Sequence, residues 1–169
     1  MQVRTTCAYK PMAEPDRFDA LLKDYQKLLP RMRNAFGQSN CPLTAEAVWK
    51  FLNTGEVRPA RAQLPGSTKM LQCGPSSTVT ITQIRARLKK AGHGAHAVVT
   101  ANPNAEKEHS FNVVNVRGTV YLVDAYNAQP VLTKDLEGHL RYAKKLEMTL
   151  KWDMHIIPSE MTASFRCPQ

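Results

Sequence analysis

The stretch that most limits how this chain can fold is Ser110-Phe111-Asn112-Val113-Val114-Asn115-Val116, then Arg117-Gly118, then Thr119-Val120-Tyr121-Leu122-Val123-Asp124. Two runs rich in β-branched and aromatic residues flank a two-residue turn containing glycine, which is the pattern of a tight β-hairpin. Apolar side chains fall on both alternating sets of positions, so both faces need cover and the hairpin belongs inside a sheet rather than at its edge. With a two-residue turn, Val116 pairs with Thr119, Phe111 with Asp124, and His109 faces Tyr126. Paired residues share a face, as do residues two apart, so His109 and Asp124 become diagonal neighbours on one side of the sheet. A turn one residue longer would separate them, because a one-residue slip reverses every side chain.

The rest of the chain alternates between helical patterns and loops. Residues 1–15 hold two prolines without periodicity and read as an arm. Asp16 opens a helix with Phe18, Leu21, Leu22, Tyr25, Leu28 and Leu29 on one face; Pro30 ends or kinks it, and a further turn follows over Arg31 to Phe36. A second helix opens near Cys41 and closes at Asn53-Thr54-Gly55. Residues 56–77 form a long connection, of the kind that serves as a substrate loop beside a nucleophile. Helices are then expected over Thr78–Ala91 and Leu132–Leu146, and strands over Ala95–Ala101 and Met148–Ile157. This is an α+β fold: N-terminal helices packed on an antiparallel sheet, with residues 16–169 as a single domain.

A cysteine is delivered to the start of the second helix. In Gln38-Ser39-Asn40-Cys41-Pro42, Asn40 serves as N-cap, Pro42 suits the first turn, and Glu46 adds negative charge near that end. The positive end of the helix dipole favours thiolate, the nucleophilic form. With His109 as base and Asp124 to orient its ring, Cys41 has the partners that acyl-transfer chemistry needs. The Cys41 amide is a natural oxyanion donor, to which Asn40 or Gln38 can add a side-chain donor. Taken singly, each of these residues has a plainer reading: a small core cysteine, a surface histidine, a turn-forming aspartate. Their order and the parity of His109 and Asp124 favour the catalytic reading. Cys73, in a loop, is the rival nucleophile. His93 and His96 are explained by a loop entering a strand, and His139 and His155 carry no specific hypothesis.

Composition narrows the partners. The formal net charge is +9, which favours anionic partners at long range. The basic residues are scattered, and the densest clusters, Arg85 to Lys90 and Arg141 to Lys145, read as solvated helix faces or as a docking face for an acidic protein. No nucleic-acid-binding motif accompanies the charge, so nucleic acid is the disfavoured partner. The cysteines Cys7, Cys41, Cys73 and Cys167 form no CxxC pair and no zinc-finger spacing, so neither a structural metal nor a cofactor is expected. A Cys7–Cys167 disulfide is compatible with an oxidising setting. No apolar run approaches the roughly 20 residues of a membrane span, and no cleavable signal peptide is visible. That leaves a cytoplasmic protein, export without a cleaved signal, or excision from a larger chain.

Asn40-Cys41 opening a helix that closes at Thr54-Gly55, followed by Arg58-Pro59-Ala60, resembles the papain-fold toxin domains of bacterial polymorphic toxin systems. So does His109-Ser110-Phe111-Asn112-Val113-Val114-Asn115 with Gly118-Thr119-Val120-Tyr121 and Leu122-Val123-Asp124. The likeness spans roughly residues 36 to 130. It implies a papain-like fold and a Cys-His-Asp triad of Cys41, His109 and Asp124, acting as a glutamine deamidase or a cysteine protease. It also implies secretion or delivery into a target cell, a protein substrate there, and a cognate immunity protein. The family often has a glutamine two residues after its aspartate. Tyr126 stands at that place here, with Asn127 and Gln129 as the substitutes. Three other readings stay open: a peptidoglycan amidase with the same Cys-then-His order, a basic nucleic-acid-targeting toxin, and a non-enzymatic binding module.

Overall fold

The hairpin forms as β3 (His109–Val116) and β4 (Thr119–Asp124), with Val116 opposite Thr119 and Asn112 opposite Val123. In this computed structural model, which describes residues 16–33, 41–61, 76–101, 109–140 and 148–152, both turn residues are left-handed: Arg117 at φ 52° and Gly118 at φ 86°. That is a type I′ turn, whose twist matches the twist of the strands it joins. Buried Asn115 braces it, accepting from the Gly118 amide at 2.8 Å and donating to the Leu88 carbonyl at 2.8 Å. The Arg117 amide donates to His93 Nδ1 at 3.0 Å, so His93 helps to secure the turn.

Four further strands complete an antiparallel sheet: β1 (Ser76–Val79), β2 (His96–Ala101), β5 (Val131–Thr133) and β6 (Met148–Trp152), in the order β1-β6-β2-β3-β4-β5. β3 and β4 are therefore interior strands, as their two apolar faces require. On one face lie α1 (Asp16–Leu28), a short 3-10 helix (Leu29–Met32), and α2 (Cys41–Thr54). Phe18, Leu21, Leu43, Val48 and Phe51 from these elements pack on Val114, Val116 and Val123 of the sheet. On the other face, α3 (Ile81–Ala91) and α4 (Leu136–His139) bring Ile84, Leu88 and Leu136 against Val99, Phe111, Val113 and Leu122. Pro30 sits in the 3-10 helix that ends α1, and Gly55 takes φ 73° to stop α2, its amide donating to the Phe51 carbonyl at 2.8 Å. No helix among the described residues is long and apolar enough to cross a membrane.

Two expected helices are partly strands. The helix read from Thr78 begins instead at Ile81, because Thr80 forms a capping box with Gln83 and the residues before it pair with β6 as β1. Thr78 and Val79 are β-branched, and the extended conformation suits them once a partner strand exists. Likewise Leu132 does not open a helix: Val131–Thr133 pairs with β4, and Asp135 then caps the four-residue α4. The arm at 1–15, Cys7, Cys73, Cys167, Phe36, Gln38, Asn40, His155 and the Arg141 to Lys145 cluster lie outside the described residues.

The turn sets the register on which the site depends. A Cβ at Gly118 would meet no atom within 4 Å, which leaves backbone strain as the main cost of substitution. Gly118→Ala is expected to lose about 1–2 kcal/mol, the penalty for a left-handed alanine. Gly118→Asn should lose less, because asparagine tolerates that region. Thermal denaturation followed by circular dichroism would read both, as a fall of a few degrees for alanine.

Candidate active site

Cys41 is the first residue of α2, half-buried, and its amide belongs to the first turn, whose N–H groups have no acceptor inside the helix. Two contacts fix this helix start against β3. Asn112, buried on the α2 side of the strand, donates to the Ala45 carbonyl at 2.9 Å. The Ser110 amide points at Cys41 Sγ from 3.4 Å. Ser110 itself is locked by its hydroxyl, 3.1 Å from that of Thr100 on β2.

His109 belongs to the opposite set of positions on β3, the one shared with Phe111 and Val113. It is also the first residue of the strand, so its ring stands at the end of the sheet, where a thiol from the other layer can reach it. Its Nε2 lies 2.5 Å from Asp124 Oδ2, and the Cys41 side chain is among the groups that raise the pKa of the ring. The hairpin register therefore brings His109 and Asp124 together as their parity requires. The His109 side chain keeps 17% of its surface exposed while that of Asp124 has none, so a substrate can touch the ring but not the carboxylate. Tyr126 and Phe111 flank the ring, with centroids at 5.7 and 6.0 Å.

A buried carboxylate must have its lone pairs satisfied. Besides His109, Asp124 Oδ2 accepts from Asn127 Nδ2 at 3.0 Å and from His139 Nε2 at 3.3 Å, while Oδ1 accepts from the Tyr126 amide at 3.1 Å. Burial by itself would raise the Asp124 carboxyl; the bonds from His109 and His139, the His109 charge and the Tyr126 amide reverse this and lower it to about 2. The carboxylate is thus ionised at neutral pH, which makes Nε2 of His109 the donor. Burial likewise works against the His109 cation, but the bonds to Asp124 and Cys41 and their charges push the ring up to about 9. At neutral pH the ring is an imidazolium clamped on a carboxylate through Nε2.

Asn127 is anchored to Asp124 as a supporting residue, and Gln129 is exposed. His96 is buried against Asn53, 2.6 Å from Nε2 to Oδ1. Glu46 is more than a helix-start charge: buried, it is held by Arg61 at 3.2 and 2.8 Å and by Lys50 at 3.0 Å, which ties the segment after α2 back to the helix. Sequence reasoning missed His139, which lies in a stretch read as the middle of a longer helix. It also missed the Ser110 amide, which no side-chain pattern can reveal.

A family model described as papain fold toxin 1, glutamine deamidase, matches residues 42–128, from the residue after Cys41 to just beyond Asn127. Neither a curated protein nor a solved structure matches the chain significantly.

The ionic pair gives stability a definite pH dependence. Because His109 is raised from 6.5 to about 9, its contribution is complete below 6.5 and disappears as pH climbs through about 9. The Asp124 contribution is present above 3.8 and is lost as pH falls through about 2. Wild type should therefore melt above Asp124→Asn at neutral pH, with the gap narrowing as pH passes about 9. Paired melting curves across that range would show it; a gap that stays constant would contradict the pairing.

Proposed function

The chain belongs to the papain fold toxin 1, glutamine deamidase, family, and we propose on that footing that it is a thiol hydrolase converting protein glutamine to glutamate in a target cell. The observation that carries this reading is the convergence of Cys41, His109 and Asp124 from two faces of one sheet onto its end. In the proposed reaction, the Cys41 thiolate attacks the carboxamide carbon, and the oxyanion forms beside the Cys41 amide at the α2 N-terminus. The His109 imidazolium gives its proton to the departing nitrogen, which leaves as ammonia. Neutral His109 then takes a proton from water as that water attacks the thioester, and the thiolate departs. The products are glutamic acid and ammonia, which become glutamate and ammonium at neutral pH, with the enzyme returned to its starting charge state. Asp124 keeps Nε2 of the ring protonated throughout and leaves the other nitrogen to shuttle the proton.

As a toxin-family domain the chain is delivered to the cell it attacks and is held in check by a cognate immunity protein, whose acidic surface would suit the +9 charge. A peptide bond would be cleaved by the same steps with an amine as leaving group. The family description favours the carboxamide.

Incubating the full chain with a lysate of candidate target cells, followed by intact-mass and peptide mapping, tests the proposal. Conversion of particular glutamines to glutamates without chain breaks is the expected result, whereas new fragments would indicate a protease. Cys41→Ala and His109→Ala should each lose roughly a hundredfold or more while remaining folded. Asp124→Ala should be damaged less uniformly, since water can replace part of an orienting group. Activity retained in Cys41→Ala would overturn the mechanism.

A further inference from the structure

We propose that His139 is a positioning residue of this site, acting through Asp124 as a second imidazole that divides the carboxylate's charge with His109. The inference rests on the roles given above to His109 and Asp124. Its basis is geometric: His139 Nε2 and His109 Nε2 approach the same oxygen, Oδ2, from 3.3 and 2.5 Å. Both donors meet a carboxylate whose side chain is wholly buried, where water cannot even out the competition.

The placement of His139 is built, not incidental. It ends α4, which is anchored by buried Leu136 and capped by Asp135, whose Oδ1 accepts from the Gly138 amide at 3.0 Å. Arg85 on α3 reaches across to bond Glu137 through both guanidinium ends, and donates to the Lys134 carbonyl at 3.2 Å. Among the described residues, the ionisable groups of the elements that meet at His139 are Asp124 and His109 from the sheet, Lys134, Asp135 and Glu137 from its own segment, and Arg85 from α3. Glu137 and Arg85 are bonded to each other, and the shared carboxylate accepts from His139 Nε2.

The chemical consequence follows from acid strength. An imidazolium held too firmly by its carboxylate is a poor proton donor to a leaving group. By drawing some of Asp124's charge, His139 loosens that hold without moving the ring. Removing the donor should tighten it and make His109 the weaker acid.

Imidazole NMR titration of the full chain labelled with 15N-histidine tests this without any turnover, so the outcome is independent of whether the hydrolase reading stands. His139→Leu fills the space but cannot donate, and should raise the His109 midpoint by roughly half a pH unit, the scale of one weak hydrogen bond. His139→Gln restores an N–H donor and should return the midpoint near wild type. An unchanged or lowered midpoint in the leucine variant, or equal behaviour of the two, overturns the proposal. If a turnover assay is in hand, His139→Leu should lower kcat severalfold with KM unchanged. Activity surviving in Cys41→Ala would sink the triad reading while leaving both titrations interpretable.

Discussion

The pairing of His109 with Asp124 across β3 and β4 is the interaction on which the rest of the site depends, and the turn at Arg117-Gly118 dictates it. Two consecutive left-handed residues make a turn that permits one register. In that register the ring and the carboxylate share a face and meet at 2.5 Å. Because Asp124 is buried, the structure has to surround it with donors, and Asn127, His139 and the Tyr126 amide do so. Asp124, Tyr126 and Asn127 fall within four consecutive residues, so the end of β4 folds into a small cage for its own charge. This arrangement allows an ionised carboxylate to persist where burial alone would neutralise it.

The site is assembled where two layers of the molecule meet. Cys41 arrives with α2 on one face of the sheet, and His109 and Asp124 arrive on the other. A strand interior would have kept them apart by the thickness of the sheet; only its end lets a thiol and a ring from opposite faces approach. Buried polar side chains hold α2 to this end: Asn112 grips the Ala45 carbonyl, and the Ser110–Thr100 pair fixes the backbone whose amide faces Cys41 Sγ. These groups cost desolvation, which their geometry recovers, and they specify one docking position for the helix. A purely apolar contact could slide.

Local patterns misled where a neighbour in space mattered more than a neighbour in sequence. Residues 78–79 and 132–133 carry spacing that suits a helix, yet each pair of residues finds a strand to pair with, β6 in one case and β4 in the other. Backbone pairing satisfies each segment's N–H and C=O groups in a way that no local tally can anticipate. The place of β6 between β1 and β2 is of the same kind: the last described strand enters the middle of the sheet. Conversely, Thr80 with Gln83 and Asp135 with Gly138 are local caps, and they set the true helix starts once the strands are in place.

What the sequence determined by itself was the hairpin, its two-residue turn, the parity that joins His109 to Asp124, and a cysteine at a helix start. Each depends on residues close together in the chain, where the period of a strand, the permissiveness of glycine and the tolerance of proline in a first turn act directly. Only the tertiary structure decided which face α2 covers, that His109 lies at the end of the sheet within reach of Cys41, and that His139 joins Asp124 from a four-residue helix. Those outcomes depend on packing between segments far apart in the chain. Burial then converts their contacts into a site: a carboxylate without water must gather every donor the fold can bring to it.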